Sequence, residues 1–247
     1  MSWPSSGGAR RAGRSRFARA ARGSGARQSV QSSGLSKGRK VKGRMFTGIV
    51  QEIGTVRARA PRDGAVRFFL EAPGISARLA VGDSVACEGV CLTVETLEPG
   101  GFSATAVPET LARTTLGDWE PGTRVNLEAS LTPATPMGGH FVLGHADGVC
   151  EVAGVRDLGE GGGREISLRI PEGFRRYCAY KGSLAVAGVS LTIAAVEDEG
   201  VRIAVIPHTL AATTLGGAKT GDRLNFEADV LAKYVERIAQ AGRHALS

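Results

Sequence analysis

Two kinds of apolar spacing divide this chain. From Phe46 to about Asp229, apolar residues alternate with polar ones or come in short runs, and Gly and Pro interrupt them. That is the pattern of short, half-buried strands joined by tight turns. A first set of strands is predicted at residues 46–56, 66–70, 84–87, 91–97, 101–107 and 124–131, with a single helical turn over 110–116. A second set follows at 148–155, 165–170, 183–187, 190–196, 201–206 and 223–229. After Asp229 the period changes. Val230, Leu231, Tyr234, Val235, Ile238 and Ala239 fall on one stripe of a helix, with Asp229 at its N-cap and Gly242 at its stop. The stripe fits either a helix that covers its own barrel or one that packs on another subunit.

The two strand sets are copies. GVCLTV at 89–94 returns as GVSLTI at 188–193, and VPETLARTTLG at 107–117 returns as IPHTLAATTLG at 206–216. RVNLE at 124–128 returns as RLNFE at 223–227. All three blocks share one offset of about a hundred residues, too long for a solenoid repeat and long enough for a domain with its own core. The expected architecture is all-β: a small antiparallel barrel in each of the two copies, with a C-terminal α-helix. The expected segments are a basic extension at 1–44, a first barrel at 45–136, a second at 137–228, and a helix and tail at 229–247. Residues 132–139, rich in Pro and Gly, read as the linker.

Composition changes this picture at one end only. The 247 residues carry a formal charge of +7, but residues 1–44 hold 12 of the 31 Lys and Arg and no acidic residue. The remainder has 19 basic against 24 acidic residues, so nothing in the barrels points to a nucleic-acid partner. Residues 1–44 cannot bury enough apolar area to offset their ordering entropy and are expected to be disordered. They match an organelle transit peptide, or an upstream extension with Met45 as the start. A soluble intracellular protein is expected, in the plastid stroma under the first reading and in the cytoplasm under the second. No stretch is apolar enough to predict a membrane-spanning helix, and no membrane partner is expected. Cys87, Cys91, Cys150 and Cys178 form no C-x-x-C pair and read as reduced thiols.

Candidate chemistry lies in the paired segments. Small barrels have filled interiors, so a ligand sits at a rim or between barrels. Cys91 and Thr93 share one strand face, as do Ser190 and Thr192, beside a glycine that admits a ligand to the backbone. Differences between the copies say more: Gly82 faces Lys181, Ile49 faces His145, Ser130 faces Asp229 and Cys91 faces Ser190. Structural demand is alike in both copies, so a polar residue present in one needs another reason. His140 and His145 have no third ligand in sequence, and no metal site is predicted. No dinucleotide fingerprint, phosphate loop or nucleophile elbow occurs.

The ordered motifs resemble the riboflavin synthase family of the α-chain, lumazine-binding repeat type. They are MFTGIV at 45–50, the GVCLTV and GVSLTI pair, both Pro-x-Thr-Leu blocks, and GGHFVLGH at 138–145. The resemblance covers about residues 45–240. It implies a transferase that dismutates two molecules of 6,7-dimethyl-8-ribityllumazine by four-carbon transfer. The products are riboflavin and 5-amino-6-ribitylaminouracil, and no metal or organic cofactor is used. It implies two tandem six-stranded Greek-key β-barrels, duplicated, with a C-terminal α-helix, and a homotrimer with the site formed between the first barrel of one subunit and the second of its neighbour. Association with lumazine synthase is a further partner expectation.

Carried over by motif, the substrate-binding positions of the first copy are Gly48, Ile49, Val50, Cys91, Leu92, Thr93, Thr105, Ala106, Val107, Pro108, Glu109 and Thr110. Those of the second are Gly144, His145, Ala146, Lys181, Ser190, Leu191, Thr192, Ile206, Pro207, His208, Thr209, Leu210 and Ala211. The implied catalytic set is Ser190, Thr192, Lys181, Asp229, His145 and Cys91. The chain departs from the family at Ala129, Ala146 and His208, where Arg, Val and Glu are usual. The alternative function is a non-catalytic, antenna-type protein of the same fold that holds a lumazine or flavin.

Overall fold

The computed structural model of the protein describes residues 45–244, with side chains through Ala241. The basic extension at 1–44 lies outside the described residues.

The first repeat forms β1 (Glu52–Arg62), β2 (Ala65–Glu71), the one-turn helix α1 (Pro73–Ser76), β3 (Ser84–Cys87), β4 (Val90–Glu98) and β5 (Gly101–Ala106). Then come α2 (Pro108–Arg113), a 3-10 turn at Thr115–Asp118 and β6 (Arg124–Ala129). Its strands close in the order β1-β2-β5-β4-β3-β6, every neighbour antiparallel, which is a Greek-key winding. The second repeat forms β7 (Gly148–Asp157), β8 (Arg164–Arg169), α3 (Glu172–Arg175), β9 (Ser183–Val186), β10 (Val189–Glu197) and β11 (Gly200–Val205). It continues with α4 (Pro207–Ala212), a 3-10 turn at Thr214–Gly217 and β12 (Arg223–Ala228), and its barrel closes with the same winding. The helix α5 (Val230–His244) ends the described chain.

Alternation explains the cores. In β4, Val90, Leu92 and Val94 are buried while Thr93 is exposed, and in β10 Val189, Leu191 and Ile193 repeat the arrangement around an exposed Thr192. Matching bulges at Val56/Ala58 and Val152/Gly154, and at Val94/Thr96 and Ile193/Ala195, bend the long strands so that six close into a barrel. Phe68 and Trp119 meet edge to face in the first core, and Phe226 and Phe174 in the second.

Three details differ from the sequence reading. The strand predicted at 46–56 divides: β1 begins at Glu52, and residues 46–51 form an arm outside the barrel ladder. Gly48 turns the arm with φ +74°, and the Thr47 and Gly48 amides bind the Glu128 carboxylate instead of a strand. α5 runs past Gly242, which a helix tolerates at about 1 kcal/mol. The helical segment predicted at 110–116 is α2 followed by the 3-10 turn, and α2 opens on Pro108, which suits a first helical position.

The repeats meet on an approximate two-fold axis. Asn126 and Asn225, both 1% exposed, reach across it. Asn126 Nδ2 donates to the Ala187 carbonyl at 2.9 Å, and the Thr214 amide donates to Asn126 Oδ1 at 2.8 Å. Asn225 Nδ2 donates to the Glu88 carbonyl at 3.0 Å, and the Thr115 amide donates to Asn225 Oδ1 at 2.8 Å. Each side-chain amide thus replaces the water lost at the seam. Symmetry breaks at Glu88, which stands where the second copy has Ala187. Glu88 Oε1 accepts from the Asn126 amide at 2.8 Å and from Thr214 Oγ1 at 3.0 Å. Burial pushes its carboxyl up to about 7, against the pull of those two donors.

Along α5, polar residues face the barrel. Lys233 Nζ pairs with Asp147 Oδ2 at 2.7 Å, and Tyr177 and Arg176 both bind Glu236. The apolar stripe faces outward: Tyr234, Val235 and Ile238 are 61%, 65% and 73% exposed. Among the described residues no helix is long and apolar enough to cross a membrane.

The Glu88 carboxyl makes stability depend on pH. Its folded pKa lies above the unfolded value, so the folded state holds the proton between about 4.5 and 7, and stability falls as pH rises through that window. The loss is on the order of 3 kcal/mol. Glu88→Gln keeps an acceptor for both donors and removes the charge. Thermal unfolding between pH 5 and 8.5 is expected to show that E88Q loses less stability than wild type over this range.

Candidate functional site

The arms cross. Phe46 and Val142 pair through both backbone bonds, at 2.8 and 3.1 Å, and both are buried between the barrels with Ala86 and Ala185. Each such buried side chain contributes about 1.5–3 kcal/mol. Beyond this crossing each arm docks on the other repeat. The Ser190 amide donates to the Gly48 carbonyl and the Cys91 amide to the Gly144 carbonyl, both at 2.8 Å. Val50 packs against the second core and Ala146 against the first.

A duplicated carboxylate sets the arms. Glu128 Oε1 accepts from the Thr47 amide at 2.7 Å and from Thr47 Oγ1 at 2.9 Å, and Oε2 from the Gly48 amide at 2.9 Å. Glu227 Oε1 accepts from the Leu143 amide at 2.8 Å and Oε2 from the His145 amide at 3.0 Å. Burial pushes both carboxyls above the usual range, and these donors pull the other way. Gly48 and Gly144 are required by contact. A Cβ at Gly48 would lie 2.6 Å from the Ser190 nitrogen, and one at Gly144 would lie 2.6 Å from Cys91 Cβ.

Two rims result. At the first, Cys91, Glu109, Thr110, Arg113, Gly144, His145 and Ala146 line a cavity of about 220 Å³ together with Val90 and Thr114. Its α2 wall carries Glu109 and Thr110, and Thr105 Oγ1 on β5 is buried without a partner among the described residues. Leu92, Ala106 and the exposed Val107 belong to the strands and turn that lead into this wall. At the second rim stand Ser190 and Thr192 on β10, with the arm residues Gly48, Ile49 and Val50. The α4 segment there runs from Ile206 through Pro207, His208, Thr209, Leu210 and Ala211. Lys181 adopts φ 63°, where the first copy has Gly82 at φ 84°. A lysine in a left-handed position that its copy fills with glycine is a strained choice. Its amide holds the Ile193 carbonyl at 3.0 Å, next to Thr192, and its Nζ lies over the Tyr180 ring. Asp229 caps α5 through Oδ1 on the Leu231 amide at 2.9 Å, as the sequence predicts.

His145 therefore serves the Cys91 rim and His140 the Ser190 rim, so the two histidines face different sites. His140 Nδ1 lies 2.7 Å from Ser190 Oγ. Sequence reading weighed His140 only as a metal ligand and missed this pairing. The signal available was its place on a linker with two preceding glycines. The four cysteines form no disulfide. A cavity of about 400 Å³ lies on the two-fold seam beside Glu88 and Trp119, and none of the predicted site residues lines it.

The model of the lumazine binding domain family matches residues 47–130 and 143–229, the twin barrels whose rims are each completed by the other repeat. The riboflavin synthase of Mycobacterium tuberculosis (strain H37Rv) is 41% identical over 201 residues, spanning 80% of this chain and 99% of that protein. That of Photobacterium phosphoreum is 38% identical over 195 residues, spanning 78% and 88%. The chain belongs to the riboflavin synthase family. Among solved structures, LumP complexed with riboflavin superposes with a TM-score of 0.69 at 23% identity, covering 74% of this chain and 98% of that one, a likeness of fold.

Gly144→Ala is expected to force the arm off Cys91. At a position with φ +73° and a 2.6 Å approach, the loss is about 1–3 kcal/mol, to be read from urea unfolding.

Proposed function

We propose that the protein dismutates two molecules of 6,7-dimethyl-8-ribityllumazine, moving a four-carbon unit from one to the other to give riboflavin and 5-amino-6-ribitylaminouracil. One observation carries this reading: the chain holds two rims of one design, each built from a polar strand start and the other repeat's arm. Two like cradles suit two identical guests. Holding both reactants in contact supplies much of the rate, since well-oriented neighbours replace a bimolecular encounter. The pteridine-like ring delocalises the carbanion left when its 7-methyl group loses a proton. The protein then adds orientation and proton transfer. Ser190, Thr192 and Asp229 are assigned to proton transfer at the second rim, and Lys181 to stabilising negative charge there. Cys91 and His145 are assigned to the ligand at the first rim.

The outward stripe of α5 supports a homotrimer, with each reacting pair held between a first barrel and a neighbour's second barrel. Sedimentation is expected to give three copies for wild type and a smaller species for Ile238→Glu, whose charge would be buried at the joint.

Incubation with the lumazine is expected to yield riboflavin, read by its visible absorbance. Ser190→Ala and Lys181→Ala are expected to lower turnover about 100-fold while leaving riboflavin binding close to wild type. Binding of lumazine without riboflavin formation in wild type would favour the antenna-type reading.

A further inference from the structure

The ring of His140 is brought to Ser190 by backbone packing. Its amide donates to the Thr47 carbonyl at 3.2 Å. A Cβ on the preceding Gly139 would lie 2.0 Å from that carbonyl oxygen and 2.9 Å from Ser190 Oγ. The linker therefore lies against the second rim with no room for a side chain before the histidine. Nδ1 then meets Ser190 Oγ at 2.7 Å, while Nε2 is buried without a partner among the described residues. His140 is half-buried, and a ring nitrogen buried for a purely structural role ordinarily has a bond partner. This ring spends a single bond, and spends it on a hydroxyl at the candidate site.

We propose that His140 is the proton-accepting partner of Ser190 in the reaction proposed above, on which this inference rests. Ser190 Oγ takes a proton from the ring methyl of the bound lumazine as its own hydroxyl proton passes to His140 Nδ1. One C–H and one O–H bond break; one O–H and one N–H bond form. The ring carries the negative charge and the imidazolium the positive one. With Nδ1 accepting from Ser190, the ring proton of neutral His140 sits on Nε2, and no existing bond to that nitrogen must break. Asp229 is the titratable group whose charge reaches the ring, and it favours the imidazolium once formed. Glu128 is spent on the Thr47 and Gly48 amides of the adjoining arm.

Burial holds the His140 imidazolium below the usual histidine range, and Asp229 opposes this in part. The neutral ring is the working form, so activity is lost as pH falls through that lowered value. The test uses the full chain and two readouts: exchange of the lumazine 7-methyl protons in D₂O, followed by proton NMR, and riboflavin affinity by fluorescence. His140→Asn keeps an acceptor near the Nδ1 position without its basicity. Exchange above the uncatalysed rate is expected to fall about 100-fold in H140N and to lose its acid limb, while riboflavin affinity stays within about threefold. Asp229→Asn is expected to move the acid limb of exchange to lower pH, a readout that stands even where H140N fails to fold. Wild-type exchange in H140N, a loss of affinity that matches the loss of exchange, or an acid limb unmoved in D229N overturns the role of His140 and leaves the dismutase reading intact. A wild-type protein that neither binds riboflavin nor speeds exchange overturns both.

Discussion

Two buried carboxylates, Glu128 and Glu227, hold this structure in its working shape. Each ends the last strand of its barrel and is 3% exposed. Each accepts backbone amides from the arm that enters its own barrel. A buried acid in this position is costly unless its oxygens are filled, and here two or three donors fill them. The arm is thereby bent so that its carbonyls at Gly48 and Gly144 meet the other repeat. The carboxylates act together with the Phe46–Val142 pairing and the packing of Val50 and Ala146 to hold each arm as the second wall of a rim.

On this symmetric frame the chemistry is asymmetric. The frame needs Asn126 and Asn225 alike, and both are present. It does not need Glu88, since Ala187 takes the same left-handed turn. Nor does it need Lys181, since Gly82 fills that place without strain. Ser190, His140 and Asp229 gather at the second rim, while Cys91 and His145 stand at the first. Two cradles of one shape and unlike polar content are what a reaction between two identical molecules requires. In the proposed reaction the like shapes accept the same guest twice, and the unlike content is assigned to treating the two guests differently. α5 fits this scheme: its ion pairs fasten it to the second barrel and leave its apolar stripe outward.

Most of the strands and the N-cap at Asp229 were legible in the chain, because each depends on residues within a few positions, and the duplication was legible as matching blocks. Alternation decides which face of β4 and β10 is buried, so Cys91 with Thr93 and Ser190 with Thr192 were readable as two outward pairs. The one-turn helices α1 and α3 were not, being too short to show a period.

What only the tertiary structure decided is which segment closes which rim. Strand periodicity assigns His140 and His145 to one stretch and says nothing of their separation. Bonds between residues about eighty positions apart, from Glu128 to Thr47 and from Glu227 to His145, turn the arms and send the two histidines to different barrels. The sequence by itself determined two cradles and their polar strand starts, because those follow from local spacing. Their completion by exchanged arms, and the meeting of His140 with Ser190, arise from burial of charge at long range, which no local pattern encodes.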